Sequence, residues 1–227
     1  MKLAISLGGS LLTKNMTQET YQSYANTFKQ LKQQGHNQII GVGGGKPARQ
    51  YIQLGKQLGA NNHLQDRLGI LATHVNALLL IAALGEDAHP HIHRRSTEIK
   101  QNMGTKILVG GGHLPGSSHD YRLALFAKAQ SADLIIKATD HGGVYTKDPS
   151  KNKDAQQIKD MTYKQLIDLI KTRFKQSPGN YGLFDLKAAQ TAQKHGAPLI
   201  IIDGTDPQEI INAVKGTHNG TTIHTQK

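Results

Sequence analysis

Lys2–Leu12 reads KLAISLGGSLL, and this stretch decides the fold. Leu3 to Leu7 is a short apolar run that breaks into Gly8-Gly9 and closes on Ser10. An apolar run punctuated by glycine is the pattern of a central parallel strand. Glycines at its end let backbone N–H groups approach an anion, because no Cβ stands in the way. Ser10 adds a hydroxyl donor where a helix can begin. A single loop of this kind is best read as a tight turn. Two more shift the balance: Val42-Gly43-Gly44-Gly45-Lys46 and Val109-Gly110-Gly111-Gly112-His113 also run from an apolar strand into glycine. At one edge of a sheet, three such loops would cradle several phosphates.

Outward from this stretch, strands and helices alternate. Thr17 to Gln34 places Tyr21, Tyr24, Phe28 and Leu31 at helical spacing, with Gly35 as the stop. Gln38–Val42 is the second strand, and Pro47 suits the start of a helix that carries Arg49 on its first turn. Further helices are predicted over Leu64–Leu84, Asp120–Ala129, Thr162–Ile170, Phe184–His195 and Pro207–Val214. Strands are predicted over Ala88–His93, Lys106–Val109, Asp133–Ala138, Leu199–Ile202 and Thr221–His224. Thr139–Ser150 reads as a hairpin or long loop, and Lys175–Tyr181 as a polar, mobile one. The order implies an α/β three-layer sandwich around a mainly parallel sheet.

The 227 residues suffice for one large domain or two closely joined lobes, with a sizeable core. With no cysteine, disulfides, thiolate metal sites and cysteine catalysis are excluded. The N-terminus enters a strand directly, and the longest apolar run, Ala77–Leu84, is too short for a bilayer; a cytoplasmic protein with no membrane partner is expected. The net charge of +11 is spread along the chain, without a basic arm, and aromatic residues are few, so a solvated basic surface is preferred to a nucleic-acid interface.

The second glycine loop is neither a Walker A loop, since Pro47 follows Lys46, nor a Rossmann fingerprint, which needs glycine at Lys46. A set of motifs running in order through the chain is more specific. Leu7-Gly8-Gly9-Ser10 is followed by Gly43-Gly44-Gly45 with Arg49, Asp66, Asn76-Ala77, Gly111–Gly116 (GGHLPG) and Asp120. Gly143-Val144-Tyr145-Thr146, Asp148-Pro149, Asp185 and Gly216–Ile223 (GTHNGTTI) complete it. With these the chain resembles the amino acid kinase superfamily, and within it the archaeal type of uridylate (UMP) kinase.

The resemblance implies a single amino acid kinase domain over 1–227, with residues to about 130 forming the acceptor part and those from about 131 the ATP part. It implies transfer of the γ-phosphoryl group of MgATP to UMP, in pyrimidine nucleotide synthesis, by a homo-oligomer, commonly a hexamer. Asp120, Arg49 and Ser10 would be the catalytic group. Gly9, Ser10, Gly45, Arg49, Thr139, Asp140, Tyr145 and Asp148 would hold ATP. Gly44, Asp66, His113, Leu114, Pro115, Gly116, Ser117, Ser118 and His119 would hold UMP, with Asp66 on the ribose hydroxyls. Mg²⁺ would arrive with ATP, and no protein metal site is expected. The chemistry is consistent: phosphoryl transfer needs positioning and charge neutralisation, and UMP supplies its own nucleophile. Without the family, Asp120 is equally a helix cap, Asp66 a solvated carboxylate and Arg49 a surface cation.

Several positions depart from the resemblance. Many relatives carry lysine at Ser6; His74 stands for an arginine; Ser118-His119-Asp120 replaces Thr-Thr-Asp; Gly142 replaces an aspartate; and Lys187 matches a lysine of acyl-phosphate-forming members. His74 and His119 are expected to face the acceptor phosphate, which would make activity depend on pH near neutrality. Two alternatives stay open. One is a kinase of this fold acting on another small acceptor. The other is a non-catalytic nucleotide- or oxyanion-binding protein, similar to molybdenum storage proteins, or an inactive relative kept for assembly. His89, His91 and His93 fall on one face of a strand. A solvated edge or subunit contact is preferred there to a metal site.

Overall fold

The computed structural model describes residues 1–104, 106–147, 149, 151–173 and 183–225. Strand β1 (Lys2–Leu7) leads into a short helix α1 (Gly9–Thr13) and then α2 (Gln18–Gln33), which Thr17 caps. Next come β2 (Asn37–Val42), α3 (Gly45–Gln57), α4 (Asn62–Leu84), β3 (Ala88–His93), α5 (Ser96–Asn102) and β4 (Ile107–Gly110). The chain continues through α6 (His119–Gln130), β5 (Leu134–Thr139), β6 (Val144–Tyr145), β7 (Gln157–Ile158), β8 (Asp160–Thr162) and α7 (Tyr163–Arg173). It ends with α8 (Leu186–His195), β9 (Leu199–Asp203), α9 (Gln208–Lys215) and β10 (Thr221–His224).

Eight strands form one sheet in the order β3-β4-β2-β1-β5-β9-β10-β8. All neighbours are parallel except β9 and β10. β6 and β7 make a separate antiparallel pair; the stretch expected as a hairpin or loop, Thr139–Ser150, holds β6, and its partner β7 lies beyond the expected end. The sequence missed α5, whose seven residues bury only Ile99 and offer little periodicity.

The pleat of β1 divides the core. Leu3, Ile5 and Leu7 join a layer with Tyr24 and Phe28 of α2, Leu80 of α4 and Ile210 of α9. Ala4 points to the opposite layer, with Leu123 and Phe126 of α6, Leu166 of α7 and Ala188 of α8. The central sheet is thus covered on both sides, as its apolar strands require.

Taken whole, α4 is longer than its uninterrupted apolar run. Among the described residues it is the one helix long and apolar enough to cross a membrane. Here it packs on α3, where Gly55 and Gly69 leave room for Leu68 and Ile52. Its buried edge, Ala77, Leu80 and Leu84, joins the core, while Leu71, Val75 and Leu78 are exposed. On the edge strand β3 the three histidine rings do cluster, with centroids 4.7 Å apart for His89 and His93 and 5.5 Å for His89 and His91. Burial pushes His93 down to about 4, so it is neutral at pH 7. No group of three His, Asp or Glu among the described residues is placed to hold a metal ion.

Candidate active site

Parallel pairing brings the C-terminal ends of β1, β2, β4 and β5 to one edge of the sheet, and with them all three glycine loops. Gly9 and Gly43–Gly45 touch backbone to backbone. A Cβ on Gly9 would lie 2.5 Å from the Gly43 carbonyl, and one on Gly43 would lie 2.6 Å from the Gly9 nitrogen. Gly45 also takes φ +64°, a left-handed conformation that glycine adopts without steric cost. Thr13 fastens the pair: its hydroxyl donates to the Gly9 carbonyl (2.8 Å) and accepts from the Lys46 amide (3.1 Å). From α4, Asn76 Nδ2 donates to the Gly43 carbonyl at 2.8 Å and the Gly44 carbonyl at 3.2 Å. Thr73 Oγ1, one turn earlier, accepts from the Gly112 amide at 2.8 Å. One helix therefore braces the second and third loops.

Beneath the loops lies a buried charge cluster. Ser6 and Lys137 are register partners on β1 and β5. Ser118 caps α6, accepting from the Tyr121 amide at 3.2 Å, so Asp120 in the first turn is not the cap. Its carboxylate instead accepts from Ser6 Oγ at 2.5 Å and from Lys137 Nζ at 2.8 Å on each oxygen. Asp120 is 4% and Lys137 6% exposed. Burial opposes charge on Asp120, but Lys137, His119 and Ser6 outweigh it and hold the carboxyl below its ordinary value. His119 Nε2 lies 3.2 Å from Ser6 Oγ and 3.5 Å from Asp120. Burial, reinforced by Lys137 and opposed by Asp120, pushes its imidazole down to about 4.

Loops and cluster enclose a cavity of about 940 Å³, long enough to run from α3 and α4 across β1 and β5 to Tyr145 and Arg173. Backbone donors, Arg49 and Lys137 line it, so it suits an elongated polyanion.

The amino acid kinase family model matches residues 1–203. This chain belongs to the amino acid kinase family. The uridylate kinase of Methanocaldococcus jannaschii is 40% identical over 228 residues, covering 98% of this chain and 99% of that protein. That of Methanobrevibacter smithii is 36% identical over 224 residues, with 98% and 99% covered. The crystal structure of uridylate kinase from Archaeoglobus fulgidus superposes with a TM-score of 0.86 at 35% identity, over 98% of this chain and 100% of that one. UMP kinase from Bacillus anthracis, at 21% identity and TM-score 0.83 over 100% and 96% of the two chains, shares the fold.

Gly9, Ser10, Gly45, Arg49, Thr139, Asp140 and Tyr145 all line the cavity, as do Gly44, Asp66, Ser117, Ser118, His119 and Asp120. Asp148, also expected there, and the 175–181 loop lie outside the described residues. His113, Leu114, Pro115 and Gly116 do not line the cavity. They form its rim, and Asp66 Oδ2 accepts from the Gly116 amide at 2.6 Å.

Two expectations for the histidines need correction. His74 Nε2 donates to the Gly112 carbonyl at 2.8 Å and is absent from the cavity wall, so it braces a loop. His119 does line the cavity, but its burial moves its titration far below neutrality. Lys187, too, is away from the cavity, its ammonium donating to the Gly116 carbonyl at 3.3 Å. Gly142 at φ +59° begins a turn held by Gln157 Nε2, which donates to its carbonyl at 2.8 Å.

Sequence reading missed Lys137 and Thr73, and named Asn76 only as part of a family motif, without a role. Each had a faint signal: a lone cation inside the apolar run LIIKAT, and two polar residues at i, i+3 in an apolar helix. The lysine that the resemblance expects at Ser6 is absent, and the Lys137 ammonium stands beside that position.

Proposed function

We propose that this chain is a UMP kinase: it transfers the γ-phosphoryl group of ATP to UMP, giving ADP and UDP. The observation that carries this reading is the cavity itself. Two abutting glycine loops and a buried lysine–aspartate pair face one space, in a chain that matches archaeal uridylate kinases along nearly its whole length. An acceptor phosphate oxygen attacks the γ-phosphorus, and the electron pair of the broken P–O bond stays on the leaving ADP oxygen. No protein group need remove a proton, which agrees with an Asp120 that is ionised and already accepts from Lys137 on both oxygens.

The two ends of the cavity support a division of labour. Gly44, Asp66, Ser117, Ser118 and His119 would take UMP, with His113–Gly116 as the rim of that end. Gly9, Ser10, Gly45, Thr139, Asp140 and Tyr145 would take ATP, with Arg49 pairing with phosphate as a guanidinium fork allows. Residues to about 130 thus serve mainly the acceptor, and those beyond serve the donor. Magnesium is expected on the ATP phosphates. The donor set fits an ion that keeps much of its water: Asp66, Asp120 and Asp140 line the cavity, but among the described residues no three carboxylates or histidines are gathered to hold an ion, and Asp120 and Asp140 are the two beside the phosphate loops. There Mg²⁺ would neutralise phosphate charge, and those two carboxylates would face its water shell.

A homo-oligomer, a hexamer by resemblance, belongs to the same proposal. The exposed apolar face of α3 and α4, with Tyr51, Leu54, Leu71, Val75 and Leu78, is where a second copy would bury surface. Light scattering of the full chain measures this. A location in the cytoplasm is consistent with this substrate pair.

The activity is tested by mixing the protein with MgATP and a panel of nucleoside monophosphates. UDP from UMP alone, lost in Asp120→Ala, is the expected result. ATP binding without product from any nucleotide overturns the proposal and directs attention to other acceptors or to oxyanion binding.

A further inference from the structure

The cation at the centre of the site comes from β5. Lys137 is all but buried, yet it lines the cavity between the glycine loops and His119. Among the described residues its ammonium is hydrogen-bonded only to Asp120, 2.8 Å from each oxygen. An ammonium carries three N–H donors, so a chelated carboxylate leaves it one donor for another acceptor. The other groups around it carry no positive charge at neutral pH: Ser6 is a hydroxyl, and His119 is neutral. A lysine used only as a counter-charge could sit anywhere on Asp120. This one sits in the wall of the cavity, one residue before Ala138, whose carbonyl accepts from the Gly8 N–H at 2.9 Å.

The geometry points to Lys137 as a catalytic residue: its ammonium contacts the non-bridging oxygens of the phosphoryl group during transfer, and Asp120 is the positioning residue that aims it. This rests on the kinase reading above and names which side chain supplies the charge. The step balances as written there, one P–O bond forming and one breaking, with no proton moved to Lys137. Its role is electrostatic, fixed before the substrate arrives, and so needs no reorganisation. The pairing of Ser6 with Lys137 adds a condition. The two residues are register partners on adjacent strands, both side chains reaching Asp120. A lysine placed at either position would deliver its ammonium to the same carboxylate.

The test uses the full chain with MgATP and UMP and compares Lys137→Ser, the exchange Ser6→Lys/Lys137→Ser, and the neutral pair Asp120→Asn/Lys137→Met. Lys137→Ser is expected to lower kcat by about 10²- to 10³-fold, with KM for both nucleotides within about threefold of the parent. The exchange should recover at least about tenfold of that kcat. A merely structural lysine would give neither the kcat-specific loss nor recovery from the neighbouring strand. The neutral pair covers the case in which a lone buried carboxylate prevents folding. Its thermal transition shows whether it folds, and if it does, kcat should remain low. A folded neutral pair with kcat near the parent's overturns the proposal, as does a folded, ATP-binding exchange variant that recovers nothing. If the parent itself makes no UDP, the choice of UMP has failed and not the lysine. The same variants are then compared in transfer of the γ-phosphoryl group to water, where their order of rates decides it.

Discussion

The glycine loops and the charge cluster beneath them face the same cavity but are built in opposite ways. The loops work by omission: Gly9, Gly43 and Gly45 approach one another because none carries a Cβ. The cluster works by commission, with a buried aspartate, lysine and serine and a half-buried histidine drawn from three elements. Such a pair is poor evidence for stability, since desolvation offsets most of the attraction, but breaking it strands a charge. The loops should therefore be sensitive to added bulk, and the cluster to lost partners.

The largest effect is expected from Asp120→Ala. It leaves Lys137 buried without its carboxylate, and a loss of about 3–5 kcal/mol should appear as a lower urea midpoint. A midpoint near the parent's would mean that water replaces the pair, and the contrast between the two regions would collapse. Gly9→Ala comes next, at about 1–3 kcal/mol for overpacking, with a raised KM for ATP. Gly59→Ala is its control: no atom lies within 4 Å of a Cβ there, though φ is +84°. It should cost only about 1 kcal/mol and leave KM unchanged.

Acid gives a third separation. His119 and His93 are both held down to about 4 by burial. As pH falls through the ordinary value of about 6.5, the unfolded chain takes up these protons first, so stability falls. The loss continues to about 4 and then levels. Between pH 7 and pH 5 each histidine should contribute on the order of 1–2 kcal/mol to it. Denaturant midpoints across this range should flatten in His93→Phe. An unchanged slope would mean that this imidazole is already solvated. The smallest effect on folding belongs to Arg49→Met, within about 0.5 kcal/mol as for other exposed positions. Its KM for nucleotide should still rise by about tenfold or more, the value of a charged hydrogen bond.

The same contrast governs what could be read from the chain alone. Gly-Gly-Ser and Gly-Gly-Gly at the ends of apolar runs are local signals, and they gave the strand ends, the parallel sheet and the edge where the glycine loops gather. Asp120 was named through the family resemblance, which did not reveal its partners, because Ser6 is 114 positions away and Lys137 is 17 positions away on another element. His74 was misassigned for a related reason. It is a polar side chain near site motifs, and only coordinates show that its partner is a loop carbonyl. The pKa of His119 was equally hidden, since burial is a property of the assembled core.

The chain's first strand lies in the middle of the sheet, with residues Leu3–Leu7 paired to β2 on one side and to Leu134–Ala138 on the other. Hydrogen bonding is thus continuous between the proposed acceptor and donor ends. Two lobes swinging about a hinge would have to tear this ladder and the ion pair that crosses it. On the proposed function, substrate entry and product exit would fall to the loops around the cavity, and the spacing of the two nucleotides would follow that of the strands.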